Sequence, residues 1–248
     1  MTLVHRTRTR GVETLTLDSP QNRNALSAAL VGDLAAALTD AGKDPGVRAV
    51  LLTHTGNTFS AGADLRDPPE PDALVGLLRQ IVELPKPVVA RVTGHVRAGG
   101  LGLLAACDIA AASAQATFAF TEVRIGVAPA VISLTLLPRT DPRALARYYL
   151  TGERFGAVEA ARLGLVTAAG EDDAVDVDAV LEPVLDGIRR ASPRALAETK
   201  RLLTARVLET FDQDAADLTA LSARLFASAE AREGMTAFLE RRDAEWVV

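Results

Sequence analysis

Small residues gathered behind short apolar runs are the first feature of this sequence that could do chemistry. In Phe59-Ser60-Ala61-Gly62-Ala63-Asp64-Leu65 they follow a strand-like run, where backbone can approach a ligand closely and leave N–H groups pointing outward. The Ala63 N–H is the candidate donor, although alone the segment fits a plain strand-to-helix turn with Asp64 near a helix start. A second turn, Thr93-Gly94-His95-Val96-Arg97-Ala98-Gly99-Gly100-Leu101-Gly102, also follows an apolar run and precedes the helix-like LGLLAAC. Two backbone N–H groups aimed at one carbonyl oxygen form an oxyanion hole, worth about 3 kcal/mol per donor where water is excluded.

A rival reading must be weighed. Gly100-x-Gly102-x-x-Ala105 is a loose dinucleotide-binding fingerprint, and Glu122 lies ~20 residues on, where such a site keeps its acidic residue. However, the strand-like Asp108-Ile109-Ala110-Ala111-Ala112 begins within a few residues, leaving no length for a crossover helix, and it ends at Ser113. Other chemistries lack support. No serine sits in a G-x-S-x-G elbow, and Cys107 reads as a small buried apolar residue. His5, His54 and His95 have none of the spacings used by metal sites, so no metal is expected.

The elements that must position the turns can be read from periodicity. Val12 to Leu17 alternates as a strand and ends at the turn cluster Asp18 to Asn22. Ser27 is placed as an N-cap, and Leu30, Leu34, Leu38 and Ala41 fall at helical spacing before a stop at Gly42. Arg48 to His54 reads as a strand buried on both faces. Beyond the proline loop 67–71 an amphipathic helix runs to Glu83, and Val88 to Ala90 is another strand. From Asp141, an N-cap with Pro142 at the first helical position, nearly everything reads as helix, in segments 156–164, 176–190, 194–208 and 212–241. Strands with short crossover helices, then a run of helices, predict an α/β core with a helical extension.

The 248 residues are 48% hydrophobic and 24% charged, enough to bury a substantial core. A formal charge of −5 provides no positive field for nucleic acid, so a phosphorylated ligand must be met locally. A single cysteine, and no apolar run of the ~20 residues that a bilayer span needs, predict a reducing, cytoplasmic setting without membrane insertion.

FSAGADL, RVTGHVRAGGLGLLAACDIA, FAFTEVRIGVAP and TGERFGAVEAARLGLV resemble, in order and spacing, the signature segments of the crotonase (enoyl-CoA hydratase/isomerase) superfamily, and FLERRDAEW is similar to its C-terminal end. The resemblance covers nearly the whole chain. It implies a crotonase-like spiral of β-β-α turns over 1–190 and a helical trimerisation region over 191–248, giving a homotrimer or hexamer. It also implies an acyl-CoA thioester substrate, with coenzyme A as part of that substrate and no separate cofactor. Ala63 and Gly99 are then the oxyanion donors, Glu122 the catalytic acid/base, and Ala61, Ala63, Asp64, Leu65, Arg66, Gly99 and Gly100 the substrate contacts.

Gly102 departs from the family pattern, standing where two-glutamate hydratases carry their other carboxylate. Water addition to a 2-enoyl-CoA remains the expected reaction. The departure favours, as alternatives, Δ3,Δ2 double-bond isomerisation by Glu122 alone, or an acyl-CoA-binding paralogue without catalysis. Arg97 could reach a carboxylate on a branched or dicarboxylic acyl chain, or form a structural ion pair.

Overall fold

Valine and alanine strands that bury both faces demand cover on both sides, and the computed structural model, which describes residues 2–170 and 176–248, supplies it. A hairpin, β1 (Val4–Thr9) and β2 (Val12–Leu17), opens the chain, and α1 (Ala28–Lys43) follows, capped by Ser27 Oγ accepting from the Leu30 N–H. Helix α1 runs one residue past Gly42, where the stop was expected. β1 left little trace in the sequence because all its residues after Val4 are exposed, so it has no apolar alternation.

Three β-β-α units come next. The first is β3 (Ala49–His54), β4 (Thr58–Ser60) and α2 (Pro71–Glu83); the second is β5 (Val88–Val92), β6 (His95–Arg97) and α3 (Gly99–Ala106). The third is β7 (Ile109–Ala112), β8 (Thr117–Ala119), a 3-10 turn at Glu122–Ile125, and α4 (Ala130–Leu136). The first strand of each unit joins a six-stranded sheet and the second joins a four-stranded one, so the chain spirals between two sheets. This is the crotonase fold.

The remaining elements are α5 (Pro142–Thr151), β9 (Phe155–Gly156), α6 (Ala157–Arg162), β10 (Ala168–Ala169), α7 (Val177–Arg190), α8 (Pro193–Phe226) and α9 (Ala229–Glu240). The large sheet runs β1-β2-β3-β5-β7-β10 and the small one β4-β6-β8-β9. Helix α7 lays Val177, Leu181, Leu185 and Ile188 on the face of the large sheet formed by Val12, Ala49, Val89 and Ala111. On its other face, Leu34, Leu52, Leu77, Phe118 and Leu134 share one core with Val207 and Phe211 of α8. The break expected between segments 194–208 and 212–241 is displaced. The first helix continues through Thr210, whose hydroxyl bonds to Leu134 O at 2.9 Å, and Phe211, which is buried; the break falls at Ala227–Ser228. No described helix is long and apolar enough to cross a membrane.

Candidate active site

β4, β6 and β8 lie side by side and parallel, with Ser60 registered to Val96 and Arg97 to Ala119. Their C-terminal ends therefore deliver three loops to one place: Ala61–Leu65, Ala98–Gly99 and Thr121–Glu122.

In the first loop, Gly62 takes φ +90°, a conformation that glycine adopts without penalty. Leu26 N–H donates to Gly62 O at 2.7 Å and Asp64 N–H donates to Leu26 O at 3.1 Å. Backbone groups alternate sides along an extended chain, so the intervening Ala63 N–H faces away from Leu26. In the second loop, Ala98 has φ 45° and ψ −122°, unusual for a residue with a Cβ. It turns the chain so that Gly99 starts α3, where the first N–H groups have no intrahelical acceptor. A carbon added at Gly62 would lie 2.8 Å from Ala98 Cβ and 3.3 Å from Gly99 N, and one added at Gly99 would lie 3.6 Å from Ala63 N. The turns thus nearly touch, and neither the Ala63 nor the Gly99 N–H has an acceptor among the described residues.

Glu122 begins the third loop. Its residue surface is 8% exposed and its Oε2 has no hydrogen-bond partner among the described residues. Burial pushes its carboxyl up to about 7, against the opposing hydrogen bond from its own backbone N–H. Phe120 and Tyr149 meet edge to face nearby at 4.6 Å, and burial followed by the Glu122 charge raises the Tyr149 phenol. Helix α9 roofs the 3-10 turn at backbone distance. A carbon added at Gly126 would lie 2.7 Å from the Glu230 backbone, and one at Gly234 would lie 2.5 Å from the Ile125 backbone.

The cavity among these loops has a volume of ≈ 870 Å³ and is lined by Ala61, Ala63, Leu65, Gly99 and Glu122 among others. Three of the expected substrate contacts do not line it. Asp64 accepts from Asn22 Nδ2 at 2.6 Å and from Arg66 N–H at 3.0 Å, closing its own loop; Arg66 is exposed to solvent; Gly100 is buried against Ser60. Cys107 is buried, its thiol pushed up to about 12 by desolvation first and Asp108 second. No three potential metal ligands cluster among the described residues.

At Gly102, a side chain would begin 2.5 Å from Ile132 Cγ2 and 2.8 Å from Ile132 Cβ. Ile132 on α4 therefore fills the space into which a residue 102 side chain would project. The sequence alone does not reveal this, because Ile132 is thirty positions away and reads as one more apolar helix residue.

A family profile described as enoyl-CoA hydratase/isomerase matches residues 7–247. The chain belongs to that family. It is 52% identical to a crystallised enoyl-CoA hydratase from Mycobacterium avium, with a TM-score of 0.92 and full coverage of both chains. It is 32% identical to the mevalonyl-coenzyme A hydratase sidH of Aspergillus fumigatus, covering 94% of this chain and 90% of that one. It is 30% identical to the mitochondrial enoyl-CoA hydratase of Pongo abelii, covering 93% and 81% respectively. Against this enoyl-CoA hydratase/isomerase background, the arrangement offers two N–H donors without acceptors and a buried carboxylate whose Oε2 is without a partner, among the described residues. It has no side chain at position 102.

Proposed function

We propose that the protein binds an acyl-CoA thioester and moves a proton along its acyl chain with Glu122 as the single base, converting a 3-enoyl-CoA to the conjugated 2-enoyl-CoA. The observation that carries this reading is the buried Glu122 carboxylate, whose Oε2 has no partner among the described residues, sharing a cavity with the Ala63 and Gly99 N–H groups. Glu122 removes a proton from C2. The electron pair moves into the thioester carbonyl, whose oxygen accepts from Ala63 and Gly99, and this dienolate takes the proton back at C4 as the double bond shifts to C2–C3. Nothing is added or lost, coenzyme A is part of the substrate, and no separate cofactor takes part.

Hydration is the second reading, favoured by the names of the relatives above. It needs a second group to manage water, and Ile132 closes the space where the family's other carboxylate would stand. Incubation with a 3-enoyl-CoA and with crotonyl-CoA decides between the two. Appearance of the conjugated thioester absorbance at unchanged mass supports isomerisation, and a mass gain of one water supports hydration. Failure of both conversions leaves acyl-CoA binding alone.

The trimeric or hexameric state is part of the same proposal. Leu202 and Leu203 of α8 and Phe238 and Leu239 of α9 are exposed apolar residues that neighbouring copies can cover. Light scattering of the purified protein should give a mass of three or six chains.

A further inference from the structure

Besides Glu122, the cavity is lined by five arginines, Arg23, Arg97, Arg124, Arg154 and Arg242, and by the carboxylates Glu70 and Asp243. Arg242 is paired with Glu233 and Glu240. Three others, Arg97, Arg124 and Arg154, come from β6, the 3-10 turn and the segment just before β9. Arg97 ends β6 and is half-buried; it donates to Val96 O at 2.9 Å, Thr117 O at 2.6 Å and Thr117 Oγ1 at 2.8 Å, all neutral acceptors. Arg124 is exposed, lies against Gly152 and donates from Nε to Thr151 O at 3.1 Å. Arg154, two residues beyond Gly152, is exposed. Among the described residues none of the three has a carboxylate partner. By contrast Arg6, Arg8, Arg79, Arg91, Arg147 and Arg162 are each paired with one.

A guanidinium drawn out of water beside another, with no anion, is unfavourable unless a ligand supplies the charge. Burial first and Arg154 second pull Arg97 down to about 10, the direction that this lack of compensation dictates. The position of the cluster indicates which part of a ligand it meets. Arg23, whose backbone oxygen accepts from the Ala61 N–H at 3.0 Å, and Leu65, Pro68 and Glu70 line the cavity from chain segments next to Ala63, whereas Arg124 stands two residues beyond Glu122 in the same 3-10 turn. The cluster thus adjoins the carboxylate that works on the acyl chain.

We propose that Arg97, Arg124 and Arg154 form an anion subsite for a carboxylate carried by the acyl chain, so that the substrate is a dicarboxylic acyl-CoA. This rests on the acyl-CoA reading above. Arginine suits the role because its planar fork matches a carboxylate with two parallel hydrogen bonds.

Calorimetry with unreactive saturated thioesters tests it on the full chain, comparing glutaryl-CoA with pentanoyl-CoA and adipyl-CoA with hexanoyl-CoA. The dicarboxylic thioester of at least one pair should bind ~10-fold or more tightly than its methyl-ended counterpart, the scale of hydrogen bonds to a charged group. Arg154→Gln, a change at an exposed side chain, should bring that ratio close to one, and Arg97→Lys should reduce it. Equal affinities in both pairs for the unaltered protein overturn the subsite. An Arg154→Gln variant that weakens both members of a pair alike also overturns it, assigning the cluster to coenzyme A phosphates. If none of the four thioesters binds, the acyl-CoA reading itself fails.

Discussion

Two glutamates are buried among the described residues, and their surroundings are opposite. Glu13 on β2, 3% exposed, accepts from Arg6 Nε at 2.9 Å and Arg8 Nε at 2.8 Å, one arginine on each carboxylate oxygen. Glu122, 8% exposed, leaves Oε2 without a partner and has a cavity in front of it. Burying a carboxylate is costly in both places, but only at Glu13 does the fold compensate the charge. Burial alone therefore does not mark the reacting group; burial without compensation, next to open space, does.

The largest expected effect separates the two directly. Glu122→Gln should lower turnover of a 3-enoyl-CoA by about 10²- to 10⁴-fold, the usual contribution of a positioned acid/base, while leaving the folded state intact. Glu13→Gln should do the reverse, costing about 2 kcal/mol in urea denaturation with turnover unchanged, because two charge-assisted bonds are weakened at a residue that does not line the cavity. A Glu13→Gln variant that lost activity at full stability would break the comparison.

Gly102 sharpens it from another side. Gly102→Glu should destabilise the protein by about 1–3 kcal/mol through overpacking against Ile132, without conferring hydration. Adding Ile132→Gly should recover part of that loss in thermal denaturation. Efficient water addition by Gly102→Glu alone would show that α4 yields easily and that the single-carboxylate reading is wrong.

Stability against pH gives a subtler difference. The folded-state carboxyl of Glu122, pushed up to about 7, holds its proton more tightly than an ordinary glutamic acid does. Its contribution is therefore fully present below the ordinary carboxyl range and is lost as pH rises towards and through 7. Denaturation at a series of pH values should show Glu122→Gln gaining on the unaltered protein across that window, just where activity switches on. The smallest effect belongs to Ala98, whose positive φ is strained. Ala98→Gly should stabilise by no more than ~1 kcal/mol, since relief of strain is offset by glycine's added freedom, and should slow turnover as the turn loosens.

How much of this was legible in the sequence depended on length and locality. β3, β5 and α1 announced themselves through apolar runs, helical spacing and the Ser27 cap, because burial writes directly onto five or more consecutive residues. β4, β6 and β8 have three residues each, too few to show a period, yet they align the three loops of the site. The loop segments with Ala63, Gly99 and Glu122 stood out by composition and family resemblance, and the structure brings those residues to one cavity. Asp64, Arg66 and Gly100 share the motifs but do not line the cavity, since Asp64 and Arg66 close their own loop and Gly100 already lies inside α3 against Ser60. Three features had no local signal at all: Ile132 against Gly102, α9 over the 3-10 turn through Gly126 and Gly234, and Arg124 against Gly152. Each is a contact between residues distant in the chain, where the tertiary fold decides.

The most direct test of the central claim, that one uncompensated carboxylate does the proton transfer, is the pH dependence of kcat/KM for 3-enoyl-CoA isomerisation. The account predicts a single rising limb with its midpoint near pH 7, then a plateau, and loss of this profile in Glu122→Gln. A bell-shaped profile, reporting a second essential acid, or a profile that survives Glu122→Gln, would contradict it.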